Sequence, residues 1–302
     1  MKTTFILIKR NIRLFFADKG LFFTSLITPA ILLLLYITFL ENVYRDSFTS
    51  ILTEGFGYNV PDKIISGFVG GQLISSLLAV SCVTVSVSSN MLMVQDKITG
   101  MASDMLVTPV KKYIPPISYY VATVAVTFII ALVALAGGFI YIATIGWYLS
   151  FADVLLLLLD VFLLVMFGTA FSSVINFFLS SQGQISAVGS TVSSCYGFMC
   201  GAYMPISQFP EWLQKAIAFL PGTYGTSLMR EHSMRGSLRA MEKEGIPAEV
   251  IDALRDAADC NIYFFDNNVD IWQKYLFLGL IIVLLIGIYV ALNFIRKGKK
   301  TR

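Results

Sequence analysis

The chain has 302 residues, 56% hydrophobic and 14% charged, with a net charge of +3 and a mean hydropathy of +0.75. Soluble globular chains carry about 25% charged residues, so a water-soluble globule is excluded and an all-α polytopic membrane protein is expected. The four cysteines, Cys82, Cys195, Cys200 and Cys260, and the single histidine, His232, offer neither a disulfide framework nor a CxxC or His-based metal centre.

At the N-terminus, Phe5, Ile8, Ile12, Phe15 and Phe16 recur at helical spacing, with Lys9, Arg10 and Arg13 between them. This pattern predicts a basic amphipathic helix over residues 1–18, lying on the inner leaflet. An ordinary positively charged anchor ahead of the first span is the plainer alternative. The first apolar run, 21–40, is too long for a signal-peptide core and reads as a retained span with a tolerated kink at Pro29.

A second span is expected over 65–93, within 31 consecutive uncharged residues from Ile64 to Val94. The next segment, "QDKITGMASDMLVTPVKK" (95–112), interrupts the apolar pattern before another 40 uncharged residues, Tyr113 to Ala152. Read as a helix, it places Ile98, Met101, Met105 and Leu106 on one face. Asp96 then sits near the helix N-terminus, where the dipole favours an acid, and Pro109 ends the helix ahead of Lys111 and Lys112. Such a helix suits docking into a groove on another protein, or lying on the membrane surface.

A third span is expected over 118–145, and its turn "GWYLSFAD" brings Trp147 and Tyr148 to an interface. From Asp160 to Glu211 lie 50 uncharged residues. One helix of that length would run to about 75 Å, so the polar "SSQGQ" is read as a turn between spans over 153–179 and 185–204. A sixth span follows at 271–295, and 206–270 is read as an extracytoplasmic loop within a single transmembrane domain covering 1–302. In that loop "IPAEVIDALRDAADC" predicts a short helix with Ile251, Leu254 and Ala258 on one side, serving as a lid, a dock or a solvated decoration.

Orientation follows from Lys and Arg in the short flanks. With both termini cytoplasmic, thirteen such residues lie inside and only Arg45 and Lys63 lie in the short outer loops. The long 206–270 loop carries ten acids and is exempt from the rule.

Possible pathway or subunit-packing positions are Asp160, an intramembrane acid, and the small residues of the fifth span. Ser190, Ser194, and Gly197 with Gly201 as a close-packing GxxxG pair, suit either a subunit seam or a pathway lining. Prolines at 210 and 221 bracket a short amphipathic helix (Trp212, Ala216, Phe219, Leu220) that is either re-entrant or on the outer surface. His232 and the Arg230–Glu231 pair are read as holding local structure.

Two stretches resemble the permeases of ABC-2 type exporters, including the daunorubicin-resistance-like ones. Between their second and third spans these carry a segment of the form E-R-E-R-G-T-L-E-x-L-L-V-T-P-V. Here Asp96 replaces the first acid, and Gly100, Leu106, Val107, Thr108, Pro109 and Val110 fit, while Ile98, Met101, Ala102 and Ser103 depart. Beyond the fifth span, Pro205, Ile206, Ser207, Pro210, Trp212, Leu213 and Gln214 match P-I-S-x-x-P-x-W-L-Q. Pro221, Thr223, Tyr224 and Arg230 match the L-P-x-T-Y and arginine that follow.

The resemblance implies an ATP-driven exporter permease in the bacterial plasma membrane, moving a drug, peptide or lipid-like amphiphile. It implies two such subunits, identical or homologous, with two separate ABC ATPase subunits. Asp96, Lys97, Gly100, Met101, Met105, Leu106, Thr108 and Pro109 would form the coupling helix. Lys9, Arg10, Arg13, Phe15 and Phe16 would line the neighbouring interfacial helix. Pro205, Pro210, Trp212, Pro221, Tyr224 and Arg230 would build outer gate helices. No G-x-x-x-x-G-K-[ST] phosphate loop occurs, so ATP and Mg²⁺ are expected on the partner ATPase, with no cofactor, metal or catalytic residue in this chain and no nucleic-acid partner. A secondary transporter or channel not driven by ATP is the alternative, which lacks support from paired mid-membrane charges or an inverted repeat.

Overall fold

A backbone buried in lipid must satisfy its hydrogen bonds within itself, and this chain does so almost wholly as helix. The computed structural model describes residues 2–108, 110–111, 113–264 and 267–299, with the side chains of Leu106 and of 296–299 outside that description. Helix α1 (Lys2–Ala17) turns at Asp18, whose carboxylate accepts from the Leu21 amide, into α2 (Lys19–Leu35). A π-turn over Tyr36–Leu40 passes into α3 (Glu41–Ser50), and a second π-turn, Ile51–Gly55, ends the rod. Then come α4 (Asp62–Asn90), α5 (Leu92–Ile98), α6 (Met101–Val107), α7 (Ile114–Ile145), α8 (Phe151–Phe178) and α9 (Gln182–Met199). The chain finishes with α10 (Glu211–Ile217), α11 (Pro221–Lys243), α12 (Ala248–Ala257), the two-residue hairpin β1 (Tyr263–Phe264) and β2 (Asn267–Asn268), and α13 (Ile271–Lys299).

Among the described residues five helices are long and apolar enough to span: Lys19–Gly55, Asp62–Ile98, Ile114–Ile145, Phe151–Phe178 and Ile271–Ile295. The sequence reading counts six. The difference is α9, 18 residues rich in serine, glycine and threonine, whose composition falls short of an apolar span. The first rod also runs on where an outer loop was expected from residue 41. It is fastened there by an aromatic stack of Tyr36, Tyr44, Phe48 and Phe68, and by the Tyr36 hydroxyl donating to the Val69 carbonyl at 2.5 Å.

Helix α4 is the axis of the bundle, buried along nearly its whole length against α2, α7, α8, α9 and α11. Its small residues let neighbours approach closely. At Gly71 a Cβ would come within 2.8 Å of the Ser233 carbonyl oxygen on α11.

The largest departure from the sequence reading is α11. The charge-rich stretch 221–243, read as loop, is a 23-residue helix packed against α4, α8 and α13. It runs antiparallel to α8: the Arg239 guanidinium meets Asp153, His232 meets Asp160, and Gly225 lies against Leu164. Its charges are tolerated inside because partners surround them. The predicted outer helix is present as α12, which seats Val250, Ile251 and Leu254 against the bundle.

Candidate functional site

The segment after the second span is not one helix. Helix α5 prolongs α4 and ends at Ile98, and Gly100, at φ +84°, breaks the chain before α6. Glycine takes that left-handed backbone without the strain a Cβ imposes. Ile98 and Met101 therefore do not share a helix face, because the break rotates one helix against the other. Asp96 is likewise not at a helix start. It lies in α5, 5% exposed, and accepts from Arg10 Nη1 at 2.7 Å and Nη2 at 3.1 Å and from the Tyr119 hydroxyl at 2.5 Å. One carboxylate thus joins α1, α5 and α7.

Arg10 also touches the Met101 sulfur, so α6 is tied to the same knot. Hydrogen bonding to Asp96 raises the Arg10 pKa further above its ordinary value and keeps it charged. Lys97 turns away from α6. Its ammonium donates to the carbonyls of Asn176 at 2.9 Å and Phe177 at 3.0 Å, capping the C-terminal end of α8. Helix α6 leaves outward Met101 (44% exposed) and Val107 (85% exposed) together with the polar Ser103 and Asp104, with Met105 half-buried. The Thr108 hydroxyl closes the helix on the Met105 carbonyl at 2.7 Å. Pro109 and the Leu106 side chain lie outside the described residues.

Helix α1 is docked, not merely laid on a surface. Phe15 is fully buried, and Asn11 reaches the Ser118 hydroxyl of α7 at 3.5 Å. Lys9, Arg13 and Phe16 stay exposed.

The exit motif after α9 is a set of backbone ties. Thr223 donates to the Ile217 carbonyl at 3.1 Å and Tyr224 to the Ala218 carbonyl at 2.7 Å, satisfying orphan acceptors at the end of α10. Pro210 caps α10 and Pro221 is the first residue of α11. Trp212 and Phe219 face outward, at 70% and 56% exposure, while Ile217 is buried. Arg230, 1% exposed, donates to the Gly201 carbonyl at 2.5 Å and to Asp259 at 2.9 Å. Asp259 also accepts from the Ile206 amide just after Pro205, at 2.9 Å. Burial pushes the Asp259 carboxyl above its ordinary range, against the opposing pull of Arg230.

Within this chain Gly197 and Gly201 do not meet another helix as a packing pair. Gly201, at φ +73°, ends α9, and a Cβ on Gly197 would strike the Tyr203 ring at 2.2 Å. Both serve the turn that folds α9's end back on itself. Ser190 and Ser194 sit on an exposed α9 face, their hydroxyls bonded back to the Ala187 and Ser190 carbonyls. Asp160 belongs to neither surface. It is fully buried, 2.6 Å from His232 Nδ1 and 2.5 Å from the Tyr275 hydroxyl, joining α8, α11 and α13.

Sequence reasoning missed three partners: His232 for Asp160, Asp259 for Arg230, and Lys274, whose buried ammonium donates to the Cys260 carbonyl at 2.6 Å. The first had a signal, since a lone acid inside a span calls for a nearby cation. Lys274 had the same signal, a lone cation inside the sixth span, whereas Asp259 had none, because it lies 29 positions from Arg230 in what reads as loop.

Among the described residues the arrangement offers no cluster of nucleophile and base; it has a polar knot at each end of the bundle and, at the α1 end, the short helix α6 set off by the turn at Gly100. The family model described as ABC-2 type transporter matches residues 2–232. No curated protein matches the chain.

Proposed function

The chain belongs to the ABC-2 type transporter family and is a multi-pass membrane protein, and from that premise we propose that it is the permease subunit of an ATP-driven exporter. Family membership implies association with an ABC ATPase. In this reading α6 is the coupling helix, set at the cytoplasmic face beside α1, and the ATPase covers Met101 and Val107. The observation that carries it is a short helix, set off by the turn at Gly100, that keeps Met101 and Val107 exposed beside the Arg10–Asp96 ion pair. A push on α6 is delivered through Gly100 and α5 into α4, the axis of the bundle, as rigid-body motion.

The rest of the reading follows from the same premise. Two permeases and two ATPases make the transporter, in a bacterial plasma membrane, with both termini cytoplasmic. ATP and Mg²⁺ belong to the ATPase, and this chain performs no covalent chemistry. Helix α9 is the sixth, atypical span and seats its hydroxyl-bearing face at the seam with the second permease. Helices α10 and α11 dip back toward the membrane from the outer side, held by Arg230 and the motif tyrosine. The cargo is an amphiphile leaving outward.

The test is co-purification of an ABC ATPase with the chain, compared with Met101→Asp and Val107→Asp. Loss of the ATPase from both variants, with unchanged detergent-state melting, is expected. An ATPase that binds both variants as it binds the parent removes α6 from the coupling role.

A further inference from the structure

Between α2, α4 and α7 runs an open cavity of about 420 Å³ whose walls are almost wholly apolar. Its floor is Leu73 and Leu77 of α4, and its rims carry Leu33 and Val133, 39% and 70% exposed. Along α2 it extends from Leu26 to Ile37, about 16 Å of helix, half of a hydrocarbon core of about 30 Å. That is the depth of one leaflet.

Two features keep this groove open. Helix α2 is irregular where it borders the groove: Pro29 removes a backbone donor, and the π-turn begins at Tyr36. On α7, Gly137 lines the groove, and no atom lies within 4 Å of the place its Cβ would take. A glycine inside a helix costs about 1 kcal/mol relative to alanine. Neighbouring Gly138 has a packing reason, since its Cβ would meet Ile74 at 2.7 Å; Gly137 has no such neighbour. Its missing side chain is space for something else.

Just beyond the end of the groove nearest α3, outside its lining, stand two side chains of opposite charge. Tyr141, a lining residue, donates to Glu41 at 3.0 Å, and Arg45 stands 3.8 Å from Glu41, donating to the Ser66 hydroxyl at 2.8 Å. Both charged side chains remain about a third exposed, at 31% and 29%, so each keeps hydrogen-bonding capacity for a second partner.

We infer that this groove holds one acyl chain of a phospholipid with a zwitterionic amine headgroup, its phosphate on Arg45 and its ammonium on Glu41. The alkyl chain lies over Leu73, Leu77 and Gly137 and reaches the middle of the membrane at Leu26. Lipid tails are as apolar as the groove, so burial alone gives no preference over bulk lipid. Selectivity comes from the paired headgroup contacts and the shape left by Gly137. The inference rests on the chain's being membrane-embedded, and not on its coupling to an ATPase.

The experiment uses the full chain in phosphatidylglycerol vesicles doped with a phosphatidylethanolamine carrying a mid-chain diazirine. Irradiation and peptide mapping compare labelling of the groove with labelling of the exposed α13 residues Leu280 and Val283. The expected result is labelling at Leu33 and Val133 about fivefold above α13. Gly137→Trp should bring it down to the α13 level, and Glu41→Gln should erase the advantage of the ethanolamine probe over a phosphatidylglycerol one. Should Gly137→Trp fail to fold, Gly137→Leu fills the same space with less bulk. Groove labelling no higher than α13, labelling indifferent to both substitutions, or a groove protected by a second copy of the chain would each overturn the inference. Unlabelled α13 would instead indicate that the chain is not in the bilayer.

Discussion

Arg10 and Asp96, 86 positions apart, meet as a two-pronged ion pair at 2.7 and 3.1 Å. The pair fastens the N-terminal helix to the far end of the bundle's axis, beside the hinge at Gly100. Its geometry is the forked guanidinium–carboxylate arrangement, which is directional as well as strong.

Asp96→Asn and Arg10→Ala should each lower stability by about 1.5–3 kcal/mol, as expected for hydrogen bonds to charged groups. Thermal melting in detergent measures this. The exchanged pair, Arg10→Asp with Asp96→Arg, should recover part of the loss; a double variant as unstable as the sum of the singles would mean the two side chains act independently.

Gly100→Val should leave the spans intact and disturb only the junction of α5 and α6. A β-branched residue at φ +84° costs at least about 1–2 kcal/mol, so α6 leaves its seat near Arg10. Hydrogen exchange should rise in α6 and not in α4, and ATPase stimulation should fall. Equal exchange in parent and variant would show that the left-handed turn is not needed.

Arg230→Met strands Asp259 in a buried site and should cost about 3–5 kcal/mol. Adding Asp259→Asn removes the unpaired charge, so the double variant should melt well above Arg230→Met alone. A double variant no better than the single would assign the effect to the lost Gly201 contact instead.

The raised Asp259 pKa also sets a pH dependence. The folded chain holds this proton above the ordinary value of 3.8, where the unfolded chain has released it. Its contribution to stability is therefore fully present below that value and is lost as pH rises through the raised pKa. The melting difference between the parent and Asp259→Asn should change across this window and stay level above it.

Gly71→Ala places a methyl group 2.8 Å from the Ser233 carbonyl oxygen, a backbone atom that cannot step aside. Overpacking of this kind costs about 1–3 kcal/mol. Since α11 is held to α4 at this point, the loss should appear as faster exchange in α11, with α7 and α8 unchanged.

Much of the architecture was legible in the residues. The long apolar runs marked six spans, since about 20 apolar residues are needed to cross a hydrocarbon core, and five of the six stand as helices long and apolar enough to do so. The stripe of α12 marked a helix but left open whether it is a lid, a dock or a solvated decoration, and the structure seats it against the bundle; the L-P-x-T-Y motif marked a junction. The remaining one of the six, read as a span over 185–204, is α9, whose serines and glycines leave it short of an apolar span. Helix α11 was misread outright: its charges resemble those of a solvated loop, and only their partners make burial possible.

By itself, then, the sequence determined that the chain lives in a membrane, where its long apolar helices lie and that a short helix follows at 248–257. These follow from transfer free energy and local backbone geometry, which depend on neighbours in the chain. The tertiary structure alone decided that Asp96 meets Arg10, that Asp160 meets His232 and that Gly137 opens a groove where Gly138 closes one. Those outcomes depend on which helix faces stand opposite each other, and no periodicity within a single helix contains that information.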